Sequence, residues 1–186
     1  MKEKLNKGDY IIYTDSAVLY LDKAEKMINF MISKNEDMWL FTTHCLEKHF
    51  SKRDAFILLG ADAYIYTDTF QYMAGIQIYK KSKFSENFLE KLLHYSKDKR
   101  IITDEPNTQG LSNYEGFIDN RHDQTVLSIL AKKFKFSHLK AKKANIFELI
   151  KMQYNLKKDI FCHFRSFEFK SYYELRNKCI YESNKR

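Results

Sequence analysis

The sequence predicts an α/β layered domain in which strands and helices alternate along one continuous chain. Short β-branched and aromatic runs alternate with segments of helical apolar spacing, the arrangement that stacks helices on a sheet. Gly and Pro number only 5 and 1 in 186 residues, so few breaks interrupt the elements and no linker divides the chain. Hydrophobic residues make up 44% and charged residues 30%, enough for a core and outside the range of a disordered chain. A chain of this length suits a single domain over 1–186, with 170–186 as a basic tail.

The first element is a strand from Tyr10 to Thr14, aromatic and β-branched throughout. A helix follows on the stripe Ala24, Met27, Ile28, Met31 and Ile32, whose spacing places them on one face. Met38 to Thr43 reads as another strand. Ser51 is a candidate cap, with Asp54 in the place of the capping-box partner, for a helix turning Ala55, Phe56, Leu58 and Leu59 inward. Tyr72 to Lys80 alternates through Ile76 and Ile78, and Gly75 within it predicts a bulge or a close backbone approach. Ser85 opens a helix with Phe88, Leu89, Leu92 and Leu93 on its apolar side, and Ile101 to Thr103 predicts a short strand. Pro106, Asn107, Gly110, Ser112, Asn113 and Gly116 give residues 105–116 loop chemistry. Helical spacing returns from His122 to Phe134, and Ala144 to Lys151 predicts a further helix.

Net charge is +8, which favours anionic partners: nucleic acid, an acidic leaflet or a phosphorylated small molecule. No helix-turn-helix, RNP or zinc pattern points to nucleic acid, so none is expected as a partner. Cys45, Cys162 and Cys179 are far apart and odd in number, which argues against a disulfide framework or zinc site and for a reducing cytoplasm. The first seven residues are charged and carry no apolar signal core. The longest apolar stretch, over 55–63, is too short to cross a bilayer.

Several groupings could carry chemistry. Asp15 follows the leading strand, where an acidic residue at the carboxyl edge can face a ligand crevice or simply cap the turn. In the crevice it would suit a divalent cation, Mn2+ or Mg2+, completed by diphosphate oxygens and water. Arg121-His122-Asp123-Gln124 precedes a helix and offers a base, acceptors and donors for sugar hydroxyls, or an ordinary polar helix start. A His-Asp pair also suits metal phosphohydrolases, but those need further paired histidines, and the chain has six His with no second His-Asp. Thr103, Asp104, Glu105 and Asn107, with Asn113 and Tyr114, form a polar loop of the kind that binds ligands or merely connects. The basic run Lys132, Lys133, Lys135, Lys140, Lys142 and Lys143 reads as a solvated helix end, or as a non-catalytic module for an anionic membrane or nucleic acid.

In order and spacing, these segments resemble bacterial GT-A-type glycosyltransferases of capsule and lipopolysaccharide loci. The matching blocks are Gly8 to Asp15, Ser51 to Leu58, Gln71 to Ser82, Ile102 to Asp104 and, most specific, Arg121 to Leu130, together spanning residues 8–135. The resemblance implies an incomplete GT-A-like fold, a mixed sheet flanked by helices. It also implies transfer of a sugar from a nucleotide-sugar donor to a cell-surface glycan acceptor. Asp15 matches the metal and diphosphate position, and His163 is the candidate to complete the metal site. Thr14, Asp104 and His122 join the donor-binding set, while Asp123 and Gln124 match the part that faces the reacting sugar or acceptor. Such enzymes carry a nucleotide-binding region ahead of the leading strand, and nine residues precede Tyr10 here. A second chain supplying that region is therefore an expected partner, as is peripheral contact with the inner membrane.

Overall fold

The structure is a computed structural model that describes residues 4–134 and the backbone of residues 161–163. In chain order come β1 (Tyr10–Thr14), β2 (Val18–Tyr20), α1 (Glu25–Lys34) and β3 (Met38–Leu46). After a 3-10 turn (Glu47–His49) follow α2 (Arg53–Leu58), α3 (Tyr64–Thr67), β4 (Phe70–Lys80), α4 (Lys83–Tyr95) and α5 (Lys99–Ile102). A long loop then leads to α6 (Asp123–Lys133), and β5 (Phe161–His163) is described as backbone.

The α/β class holds. β1, β4 and β3 form a sheet in that order, with the longest strand in the middle. β2, which the sequence reading missed, pairs with β5. Every strand pair among the described residues is antiparallel, where a mixed sheet was expected. Parallel neighbours need a crossover that re-enters the sheet at the same end. Here β4 runs back between β1 and β3, so both of its neighbours oppose it.

Helices cover both faces of the sheet. On one, α1 sets Met27 and Met31 against Trp39, Phe41, Ile76 and Ile78. Ile32 belongs to the expected stripe, yet it is exposed, so the buried seam of α1 is narrower than its apolar pattern. On the other face, Met38, Leu40, Tyr72, Ala74 and Tyr79 meet Phe56 of α2, Phe88 of α4, Ile101 of α5 and Val126, Leu127 and Leu130 of α6. β3 is buried on both sides from Met38 to Phe41, which is why its sequence runs apolar without alternation.

The bulge predicted at Gly75 is present and reverses β4. Its register with β3 slips between the pairs Leu40–Gln77 and Thr42–Tyr72. Ile76 and Ile78 therefore pack toward α1, while Tyr72 and Ala74, of the same parity, pack toward α6. β4 advances five residues, from Gln77 to Tyr72, while β3 advances two, and this odd difference of three exchanges the faces of everything beyond it.

Three local expectations are corrected. The α4 cap is Ser82, whose hydroxyl accepts the Ser85 N–H at 3.2 Å while the Ser85 hydroxyl accepts the Ser82 N–H at 3.2 Å. Ser85 is thus the capping-box partner, and the helix opens before it. Ile101 to Ile102 lies in the helical turn α5, not in a strand. The Asp98 side chain caps that turn through the Arg100 N–H, and Ile101 is wholly buried, a combination that overrides β-branched propensity. Ser51 does not cap α2; its hydroxyl donates to Glu47 instead. The helix expected over Ala144 to Lys151 and the tail over 170–186 lie outside the described residues. Among the described residues, no helix is long and apolar enough to cross a membrane.

Candidate functional site

Asp15 sits where β1 ends against the bulge. Its N–H donates to the Gly75 carbonyl at 3.0 Å, and its carbonyl accepts the Val18 N–H at 3.0 Å, closing the turn into β2. The backbone therefore makes this turn and leaves the half-buried carboxylate to the Tyr13 hydroxyl, which donates to it at 3.0 Å. The Tyr13 phenol is held above its ordinary value by that hydrogen bond first, then by burial and by the charges of Asp15 and Asp123. Asp123 opens α6.

Just before α6, His122 adopts φ 50° and ψ −113°, a region non-glycine residues seldom occupy. Its Nε2 lies 3.0 Å from Asp104 Oδ1, across 18 residues of loop. Asp123 and Asp104 are exposed. Gln124 is turned inward: Oε1 accepts the Ala74 N–H at 3.1 Å and Nε2 donates to Gln71 Oε1 at 2.6 Å. Both ends of its amide thus hold α6 to the bulge. Through Ala74 and Gly75 the same contacts reach Asp15. Thr14 pairs with Ile76 across the sheet, and the backbone of His163 stands opposite Val18, three residues beyond Asp15.

Under this site lies a buried polar network that the sequence reading missed. The Glu47 carboxylate accepts from Ser51, Gln71, Ser128 and Lys132. Lys132 is not a solvated helix end; it is buried, and burial holds its ammonium below the ordinary value against the opposing pull of Glu47. Lys133 donates to the Leu59 carbonyl. The rest of the basic run, from Lys135 onward, lies outside the described residues. A signal was available: Thr125, Ser128 and Lys132 recur at helical spacing on the inward side of an otherwise apolar stripe.

The loop before α6 is fastened to the start of α2. Asn113 Oδ1 accepts the Arg53 N–H at 2.7 Å, and Asn120 and Asn107 stand 3.4 Å from the N–H groups of Lys52 and Asp54. Asparagines from a distant segment therefore supply the cap that Ser51 was expected to give. The Asp54 carboxylate accepts the Thr108 N–H at 2.6 Å, the Thr108 hydroxyl at 2.8 Å and the Gln109 N–H at 3.1 Å. Burial opposes its charge, yet these bonds and the nearby Lys52 charge outweigh burial and hold the carboxyl below its ordinary value. The Arg53 guanidinium lies 3.9 Å from the Tyr114 ring centre, and the Tyr114 hydroxyl donates to Asp62 at 2.6 Å. Between this loop and Lys52 is a cavity of about 280 Å3.

Among the described residues, no three His, Cys, Asp or Glu side chains gather where they could hold a metal ion. Compared with known protein families, curated proteins and solved structures, the chain matches none.

Proposed function

We propose that the chain is the acceptor-side part of a GT-A-like glycosyltransferase, acting in the cytoplasm or at the inner face of the membrane. It would transfer a sugar from a nucleotide donor to a cell-surface glycan. The observation that carries this reading is the chain of contacts from Asp15, through the backbone of Gly75 and Ala74, to Gln124 at the polar start of α6. The start of a helix, with its unpaired N–H groups, is where anionic ligands are received.

Asp15 keeps one carboxylate oxygen clear of the Tyr13 hydroxyl, which donates to the other. One protein carboxylate, with diphosphate oxygens and water completing the shell, is a donor set that Mg2+ or Mn2+ accepts. When bound, such a cation would neutralise charge on the departing diphosphate. His163 is the second proposed ligand. Asp123, exposed at the first turn of α6, would accept the proton of an acceptor hydroxyl. His122, fixed by Asp104, and Thr14 line the donor side. Gln124 positions Asp15 through the bulge.

The test is thermal denaturation with nucleoside diphosphates and Mn2+. Ligand at a hundred times its dissociation constant adds about 2.7 kcal/mol of stability, so a clear rise in melting temperature is expected for the wild type. Asp15→Asn should abolish the metal-dependent part of that rise. The proposal is lost if no nucleoside diphosphate shifts the wild type.

A further inference from the structure

We infer that the cavity between residues 103–120 and the start of α2 binds a sugar bearing an anionic group, and that Lys52 meets the anion. Lys52 is 3% exposed, and an ammonium taken out of water needs an anion or a full set of acceptors. Its Nζ has two acceptors, the carbonyls of Glu105 at 2.6 Å and Thr103 at 3.5 Å, the second at the outer limit of a hydrogen bond. No carboxylate among the described residues pairs with it. The contrast is Lys132, equally deep, whose charge is answered within the fold by Glu47.

The acids near Lys52 are already occupied. Asp104 holds His122 at 3.0 Å, Glu105 stands 3.6 Å from Lys99, and Asp119 lies 3.1 Å from Arg121. Asp54 is taken up by Thr108 and Gln109. The Lys52 ammonium therefore has two backbone carbonyls and the more distant charge of Asp54, but no carboxylate in contact with it.

A bare anion would leave the rest of the lining unused. Asp104, Glu105 and Asp119 line the cavity with carboxylate acceptors, which suit hydroxyl donors and oppose a naked anion. The Asn113 amide accepts from Arg53 and Asn107, while its own N–H groups have no partner among the described residues. Phe117 adds an apolar wall. Acceptors, donors and an aromatic side in about 280 Å3 match one hydroxylated ring, and Lys52 adds a carboxylate or phosphate substituent to that description.

Calorimetric titration of the full chain tests this with glucuronate, glucose 6-phosphate, glucose and inorganic phosphate, without nucleotide or metal. At least one acidic sugar should bind, with glucose and free phosphate weaker by about tenfold or more. Whichever acidic sugar binds tighter identifies the anionic group as carboxylate or phosphate. Lys52→Met should weaken binding by about a hundredfold. Asn113→Asp keeps the acceptor for the Arg53 N–H, so the α2 start stays capped, but it places a negative charge in the cavity and should weaken binding comparably. No binding of either acidic sugar, equal binding of glucose, or undiminished binding by Asn113→Asp would overturn the inference. None of these outcomes depends on whether the chain transfers sugar.

Discussion

Lys132 and Glu47 are separated by 85 residues and meet where both are buried. Such a pair adds little net stability, yet removing one partner strands the other. Lys132→Met should therefore cost about 3–5 kcal/mol, and Glu47→Gln with Lys132→Met together should cost less than Lys132→Met alone. Chemical denaturation of the single and double variants measures the difference. Gln124 is a different case, because its amide serves the backbone of the bulge as well as the Gln71 side chain. Gln124→Leu leaves the Ala74 N–H without its acceptor and should cost about 1–3 kcal/mol. Hydrogen exchange should accelerate first at Ala74 and at Asp15, whose N–H rests on the neighbouring Gly75 carbonyl.

At the scale of elements, the loop over 103–122 behaves as a clasp across α2 and not as a solvated connection. It caps three successive N–H groups of the α2 start, takes up the Asp54 side chain and stacks Tyr114 under Arg53. Gly116 allows the return: its φ is +79°, and a Cβ there would stand 2.9 Å from His49 Nε2. Gly116→Ala should lower stability by about 1–2 kcal/mol and loosen the contact with the 3-10 turn, measurable as a lower melting temperature.

The same scale separates legible elements from illegible ones. The strand at Tyr10, the seam of α1, the bulge at Gly75 and the helix after His122 were readable because periodicity and residue shape specify them locally. Ile101 was misread because three β-branched residues in a row look like a strand, while the turn exists through an Asp98 cap and core burial. Ser51 was misread because a serine three residues before an acid fits a cap on paper. Its hydroxyl is instead drawn to a buried carboxylate.

For the whole molecule, pH reports on how the clasp is held. Asp54 has a lowered folded value, so its contribution is complete above its ordinary 3.8 and is lost as pH falls through the lower folded value. Tyr114 has its phenol pushed up to about 12, by burial first and then by the bond to Asp62. The unfolded chain gives up that proton near 10, so this contribution is complete below 10 and disappears as pH rises toward 12. Acid and alkaline unfolding curves should flatten in those windows for Asp54→Asn and Tyr114→Phe respectively.

The amino-acid order by itself determined the α/β class, most element positions and the polar stretches from which a site could be built. Those properties follow from neighbours a few residues apart, through helical and strand periodicity and turn chemistry. Only the tertiary structure decided that the described strands oppose one another and that Lys132 is an interior charge. It also joined Asp15 to the start of α6 through Gly75, Ala74 and Gln124, and left Lys52 beside a cavity with no described carboxylate in contact with it. Contacts between residues 50 to 85 positions apart leave no periodic trace, so they become visible only when packing brings the segments together.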